Sequence, residues 1–526
     1  MRSFWKAQAC RVFFGAVLAA SLPGTPAHAF DRDQETAPQQ QNPASSTPSA
    51  ADGIFEAAAK RAAELAATKY KPPAKDLPAS FRKLGYDSYR KVRPKPETTV
   101  WGEAGNPFGF LPLPRGGLYQ DRVNLFVVEN GETKELADAS AFVDFVDFQT
   151  ATPEERQALG LSGWRAISRP GIAGKGYEAA VFQGGTYFRA IAESLFYGAS
   201  ARALAIGTGS PRGEEFPRFT DFWIIRPEAN DDALAFVALS DSPSAVGAYR
   251  FILRPGRETT IDVTVAIHPR TDIFEAGIAP LSSMYLHGAA DRARTDDWRP
   301  EVHDSDGLSI LSGSGEQVWR PLTNPKAMQL SSFSADSPRG FGLMQRARDF
   351  AAYADLEAKY ERRPSVWIEP RGDWGAGEIR LLEIPTANEY SDNIAVFWRP
   401  TTPWKPGEEH RLAYTTRWSA LGPVAGGLAA VTSTRIGGKP DGAAIRHFVI
   451  DFSGDQHFAA SAQAADVWST AGEIRNVAIS DGPNASSRRL TFDLDPRGAS
   501  AIELHAALAD ETSPLTETWL FRWTPE

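Results

Sequence analysis

Three short stretches of the chain concentrate carboxylates and arginines beside aromatic residues. They run Arg299-Pro-Glu-Val-His-Asp-Ser-Asp-Gly-Leu308, Tyr360-Glu-Arg-Arg-Pro364 and Glu389-Tyr-Ser-Asp-Asn393. Carboxylates brought together from separate segments can cleave a glycosidic bond: a protonated acid assists the leaving oxygen while a carboxylate, directly or through water, deprotonates the nucleophile. Between residues 296 and 400 also lie Trp298, Trp319, Trp367, Trp374 and Trp398. Their flat faces suit stacking on sugar rings, and the competing reading is that they fill a large apolar core. Acidic residues are also the commonest loop surface, so spacing alone does not select the reacting pair.

His303, Asp304 and Asp306 invite a second reading, because imidazole and carboxylates within four residues can converge on a metal. No second His/Asp cluster completes a coordination shell, and the calcium-loop spacing is missing. The expectation is therefore no metal and no cofactor. The alternative is a turn held by Asp and Ser side chains, with Gly307 supplying a positive φ. Gly-x-Ser-x-Gly, His-Glu-x-x-His and phosphate-loop motifs do not occur.

The elements that must position these residues are mostly strands. Val123 to Val128 runs into Asn130-Gly131, a hairpin signal. Ile261, Val263, Val265 and Ile267 alternate with Asp262, Thr264 and Ala266, as in a half-buried antiparallel strand. Similar runs occur at Leu490 to Leu494, Phe448 to Phe452 and Trp519 to Trp523. Helical spacing is confined to two places, one from Gly53 to Lys69 and one from Asp349 to Tyr360. Frequent Gly and Pro with little helix point to a mainly β, sandwich architecture. Pro400, Pro403 and Pro406 mark a linker over 400–408, ahead of a stretch sized for one immunoglobulin-like sandwich.

At 526 residues the chain exceeds one ordinary domain, and its net charge of −9 argues against a nucleic-acid surface. Arg2, Lys6 and Arg11, an apolar run over 12–20 and Ala27-His28-Ala29 compose a secretory signal of the general export type, cut after Ala29. The single cysteine, Cys10, leaves with it, and the net charge becomes −12. Residues 30–52, rich in Gln, Pro, Ser and Ala, read as a disordered spacer. No later stretch is apolar and long enough to span a bilayer.

Taken in order, several further runs resemble the osmoregulated periplasmic glucan biosynthesis proteins G and D of Gram-negative bacteria. They include Leu84-Gly-Tyr-Asp-Ser-Tyr-Arg90, Tyr187-Phe-Arg189, Tyr197-Gly-Ala-Ser-Ala-Arg202, Glu214-Glu-Phe-Pro217, Val318-Trp-Arg-Pro-Leu322 and Gly340-Phe-Gly-Leu343, together with the three stretches above. The resemblance covers about 53–526 and is closest over 180–400. It departs at Leu111 to Gly117 and at Leu159 to Arg165, which bears on cleft shape rather than on fold.

The resemblance implies a large N-terminal β-sandwich over 53–399, like galactose mutarotase, and a small immunoglobulin-like sandwich over 409–526. It implies a periplasmic protein acting on β-1,2-linked glucan backbones, as an inverting endo-glucanase or a related transglycosylase. The alternative role is a non-catalytic binder that escorts nascent glucan or assists its branching. Carried over, Asp392 is the general acid and Asp304 the general base, reached through a chain of waters. Tyr360 and Arg363 line the substrate cleft, and Trp319, Trp374, Asp306 and Glu389 complete the expected substrate-binding set. The partner implied is β-1,2-glucan, with an inner-membrane glucan synthase left open as a second.

Overall fold

The structure, a computed structural model, describes residues 47–525 apart from 104, 146–150, 170–175, 292–295, 425–426, 439–443 and 512. The expected signal at 1–29 and most of the expected spacer, 30–46, lie outside the described residues. The chain is mainly β, and among the described residues no helix is long and apolar enough to cross a membrane.

The period-two pattern around Val263 becomes the strand Thr259–Pro269, which lies between the antiparallel strands Ala245–Arg254 and His410–Ser419. Ile261, Val263, Val265 and Ile267 face the core, while Asp262 looks outward to Arg254 and Arg371. The hairpin signal is realised between Asn124–Glu129 and Glu132–Glu135, with Asn130 and Gly131 both at positive φ, as a two-residue turn of this twist requires.

These strands belong to a fourteen-stranded sheet, and a ten-stranded sheet shares its core. Trp164 of the ten-stranded sheet meets Phe236 of the other edge-on at 4.8 Å between centroids, and Phe182 meets Phe251 at 5.4 Å. Each fully buried ring of this kind contributes about 1.5–3 kcal/mol by leaving water.

One long helix, Thr47–Ala66, lies on the outer face of the fourteen-stranded sheet. Phe55, Ala58, Ala59 and Ala62 pack against Val237, Leu239, Val246, Ala248 and Ala266. The spacer expected to reach residue 52 therefore ends sooner. Ala51 is buried against Val128, Ile225 and Ala235, and Asp52 pairs with Arg250. Small side chains read as having little to bury, yet on a helix they let its backbone approach a sheet closely.

The second expected helix shrinks to Phe350–Tyr353, after which Ala354 and Lys359 adopt positive φ. The Asp355 carboxylate accepts the backbone N–H groups of Glu357 and Ala358, a local bond that competes with continuing the helix. A 3-10 turn, Tyr360–Arg362, follows.

The linker expected at 400–408 is corrected as well. Trp404 is buried, bridges to Ile273 and stacks on His410 at 4.3 Å. The next strand, His410–Ser419, lies inside the fourteen-stranded sheet between Thr259–Pro269 and Ser365–Arg371. Those prolines shape the crossing from the ten-stranded sheet to the fourteen-stranded one rather than a tether. The C-terminal strands proper begin at Ala430–Gly438, in a four-stranded sheet with Arg446–Ser453, Ser487–Asp495 and Glu473–Asp481.

That small sheet packs on Ala464–Ser469, Ile502–Ala509 and Thr518–Trp523, which extend the fourteen-stranded sheet. The join is a parallel pairing, Val318 with Thr518 and Trp319 with Trp519. Buried Glu517 reinforces it: its carboxylate takes Arg346 at 2.7 Å and the Val431 N–H at 2.9 Å. The Arg346 guanidinium lies 3.6 Å from the centre of the Trp319 ring.

Candidate active site

Asp392 precedes the strand Ile394–Pro400, and its neighbour Asn393 anchors it. The buried Asn393 amide accepts the Tyr285 N–H at 2.8 Å and donates to the carbonyls of Tyr285 and Ile384, so this turn is held by three bonds to two segments. Asp304 follows the two-residue strand Val302–His303 and is fixed by its N–H donating to the Met284 carbonyl at 2.8 Å. Residues 284 and 285 thus position both carboxylates.

The two acids have different surroundings. Asp304 is buried with its Oδ1 2.9 Å from Arg363 Nη1, a ready counter-charge. The nearest cation to Asp392 is Arg189, 3.9 Å from an Oδ2 that has no hydrogen-bond partner. Burial raises the Asp392 carboxyl above its ordinary range and the negative charge of Asp304 adds to this, while Arg189, Arg202 and Arg363 oppose it.

Around this pair runs a connected set of side chains. The Arg363 guanidinium lies over the Tyr360 ring at 4.8 Å and donates to the Ala358 carbonyl. Tyr360 donates its hydroxyl to Glu389 at 2.9 Å, and burial raises the Tyr360 hydroxyl above its usual value. Glu389 also receives Arg299 at 2.6 Å, and Arg299 binds Asp297 and Asp355 besides. Hydrogen bonding from Arg299 holds the Asp297 carboxyl down at about 2.

Of the residues expected from sequence, the structure connects Asp392, Asp304, Tyr360, Arg363 and Glu389. Asp306 lies apart from them. Its carboxylate accepts the N–H groups of Arg346 and Ala347 and lies 3.3 Å from His303 Nε2. Trp374 is core: it packs on Trp398 and Tyr414 and donates to the Ala413 carbonyl. Trp319 is buried beneath Arg346. Both are covered on the faces a sugar would need, which corrects their expected stacking role. Trp367 and Trp398 are also buried, and of the five only Trp298 is open to solvent.

The triplet His303, Asp304 and Asp306 does not converge, because Asp304 turns to Arg363. Glu301 joins instead: Glu301, His303 and Asp306 hold their ligand atoms within 4.8 Å of one another. Gln345 fixes the orientation of the His303 ring. The Gln345 Nε2 donates to the carbonyls of His303 and Tyr360, so its Oε1, 3.0 Å from His303 Nδ1, must accept a hydrogen bond from the ring N–H. His303 Nε2 then faces Glu301 at 2.8 Å and Asp306 at 3.3 Å. Burial disfavours the charged ring, but Asp306 and Glu301 outweigh it and push its pKa up to about 9. The two acidic side chains thus favour the protonated ring, while burial raises the Asp306 carboxyl above its ordinary value. Beside it a cavity of about 70 Å³ is bounded by Trp319, Arg346 and residues 431–434 of the C-terminal unit.

Gly307 also differs from expectation. It opens the strand Gly307–Leu311 in ordinary extended backbone, and it is glycine because an added Cβ would lie 2.5 Å from the Trp319 ring.

Sequence reasoning gave no role to Arg189, Arg202, Tyr187 or Arg299. Tyr187 and Arg189 share a face of the strand Tyr187–Ala190, and Arg202 pairs opposite Tyr187, with its guanidinium 5.3 Å from the ring and 2.5 Å from Glu214. The signal available was a charged residue at period two in a short strand.

The pattern described as "Periplasmic glucan biosynthesis protein, MdoG" matches residues 54–523. Glucans biosynthesis protein G of Rhodopseudomonas palustris is 44% identical over 468 residues, which cover 89% of this chain and 92% of that protein. Its namesake in Shewanella frigidimarina is 43% identical over 470 residues, covering 88% and 83% respectively.

Proposed function

The chain belongs to the MdoG family of periplasmic glucan biosynthesis proteins, and from that premise we propose that it cleaves or rearranges β-1,2-linked glucan backbones in the periplasm, with Asp392 as general acid and Asp304 as general base. In this reading the large unit is a galactose mutarotase-like sandwich and the C-terminal one is immunoglobulin-like. The observation that carries the chemistry is the unlike settings of the two carboxyls, one with an arginine at 2.9 Å and the other with its nearest arginine at 3.9 Å. Burial raises the second of them, Asp392. A carboxyl raised by burial suits the acid role, and one beside a fixed guanidinium suits the base.

Asp392, keeping its proton, gives it to the glycosidic oxygen as the anomeric bond breaks. Asp304 takes a proton, through intervening water, from the incoming water or sugar hydroxyl. An inverting outcome follows when the nucleophile attacks from the face opposite the leaving oxygen. Tyr360 and Arg363 shape the wall beside Asp304, and Glu389 holds Tyr360 in place.

The direct test is purified protein with linear β-1,2-glucan and chromatography of the products. Shorter or rearranged chains are expected. Unchanged glucan that nonetheless binds would replace the enzyme reading with that of an escort protein.

The pH profile gives a second test, with its sign fixed by Arg189. Activity falls as Asp392 loses its proton, and the positive charge of Arg189 favours that loss. In Arg189→Met the basic limb of kcat/KM moves to higher pH. A limb that stays in place would show that Asp392 does not set it.

A further inference from the structure

Arg299 gathers Asp297, Asp355 and Glu389 into one partly buried ion cluster, at 2.8, 3.0 and 2.6 Å. Three of its members have an apolar side chain directly beside them in sequence: Trp298 next to Arg299, Leu356 next to Asp355 and Tyr390 next to Glu389. Their exposures are 71%, 79% and 58%. The cluster draws together three distant segments while leaving at each an apolar side chain turned to solvent. The backbones that carry them are fixed: Asp355 accepts two N–H groups of its own turn, Tyr390 donates its N–H to Asn388, and the Arg299 guanidinium lies 5.9 Å from the Trp298 ring.

The patch is continuous with the candidate active site. Glu389 accepts the Tyr360 hydroxyl, Tyr360 underlies Arg363, and Arg363 pairs with Asp304. Tyr390 is two residues from Asp392. The geometry points to a further carbohydrate subsite here, with Trp298 and Tyr390 as platforms for glucosyl units lying outside the bond that reacts; this rests on the glucan reading above.

Charge favours that occupant over an acidic or phosphorylated one. Three carboxylates surround one guanidinium, so the rim carries net negative charge and repels anions. A neutral chain of sugars loses nothing to that field. Its ring faces suit the indole and phenol, and its hydroxyls suit the carboxylate edges. Contacts beyond the reacting bond make affinity rise with chain length.

The experiment uses the full chain carrying Asp392→Asn, so that binding is read without turnover. Titration calorimetry with a long linear β-1,2-glucan fraction is compared with the same titration after adding Trp298→Ala or Tyr390→Ala. Each loses about tenfold in affinity, the size of one aromatic contact. Trp468→Ala, which removes an exposed tryptophan of the C-terminal strand Ala464–Ser469, loses none. Glucan also protects tryptophan fluorescence from quenching by neutral acrylamide, and the protected fraction disappears in Trp298→Ala. Undiminished affinity in both platform variants overturns the subsite. So does a change in molecular mass by light scattering with affinity intact, which would make the patch a protein contact. If the unmodified chain fails to cleave glucan while Trp298 remains protected, the subsite stands and only the catalytic reading falls.

Discussion

Asp392→Asn slows cleavage of linear β-1,2-glucan by about 10²–10⁴-fold, the usual contribution of a positioned proton donor. The amide keeps the shape of the carboxyl and its place between Arg189 and the Asn393 anchor, but has no acidic proton to give. Asn393, not Asp392, makes the bonds to Tyr285 and Ile384 that hold the turn, so the backbone stays where it is. Glucan affinity is therefore retained, and the loss appears in kcat. The measurement is initial rate by reducing-end release, alongside calorimetric binding. A variant that cleaves at the wild-type rate would remove Asp392 from the acid role and leave the surrounding arginines without a chemical purpose.

Glu517→Ala has the largest expected effect on stability. The wild-type carboxylate is fully buried and takes two bonds from Arg346 and one from the Val431 N–H. Removing one partner of a buried ion pair leaves the other charge uncompensated, a loss of about 3–5 kcal/mol. The urea midpoint falls accordingly, and the added change Arg346→Met restores part of it, because no orphaned guanidinium then remains. A single-variant loss under about 1 kcal/mol, the level of an exposed pair, would show that water reaches this junction.

Much of the strand content was legible because period-two alternation has few rival readings. Ile261 to Ile267, Phe448 to Phe452 and the Asn130-Gly131 turn all form as the pattern requires. What failed was punctuation. Pro400, Pro403 and Pro406 read as a tether because proline interrupts strands, yet the chain turns there and re-enters the large sheet at His410. Helical spacing shows only from Gly53, whereas the helix begins at Thr47, because alanine has little to bury in isolation and much to gain against a sheet.

In the site, the carboxylates were legible only through the resemblance, whereas their surroundings followed from tertiary contact alone. Asp304 and Asp306 are two apart in sequence and serve different neighbours, one facing Arg363 and the other the backbone of 346–347. Nothing in the spacing separates them. The tryptophans misled for a different reason. Indole serves equally as sugar platform and as core filler, and burial, which decides between these, is a property of the fold.

The parallel pairing of Trp319 with Trp519 bears on the order in which the molecule can be assembled. Strand Gln317–Pro321 waits two hundred positions for its neighbour Thr518–Trp523 to be synthesised, and until then one of its edges offers unpaired backbone groups. Such an edge is a template for association with other chains. A contact that closes so long a loop is also among the slowest to form. The half-made protein therefore offers other chains an open edge at the seam where its C-terminal strands later join.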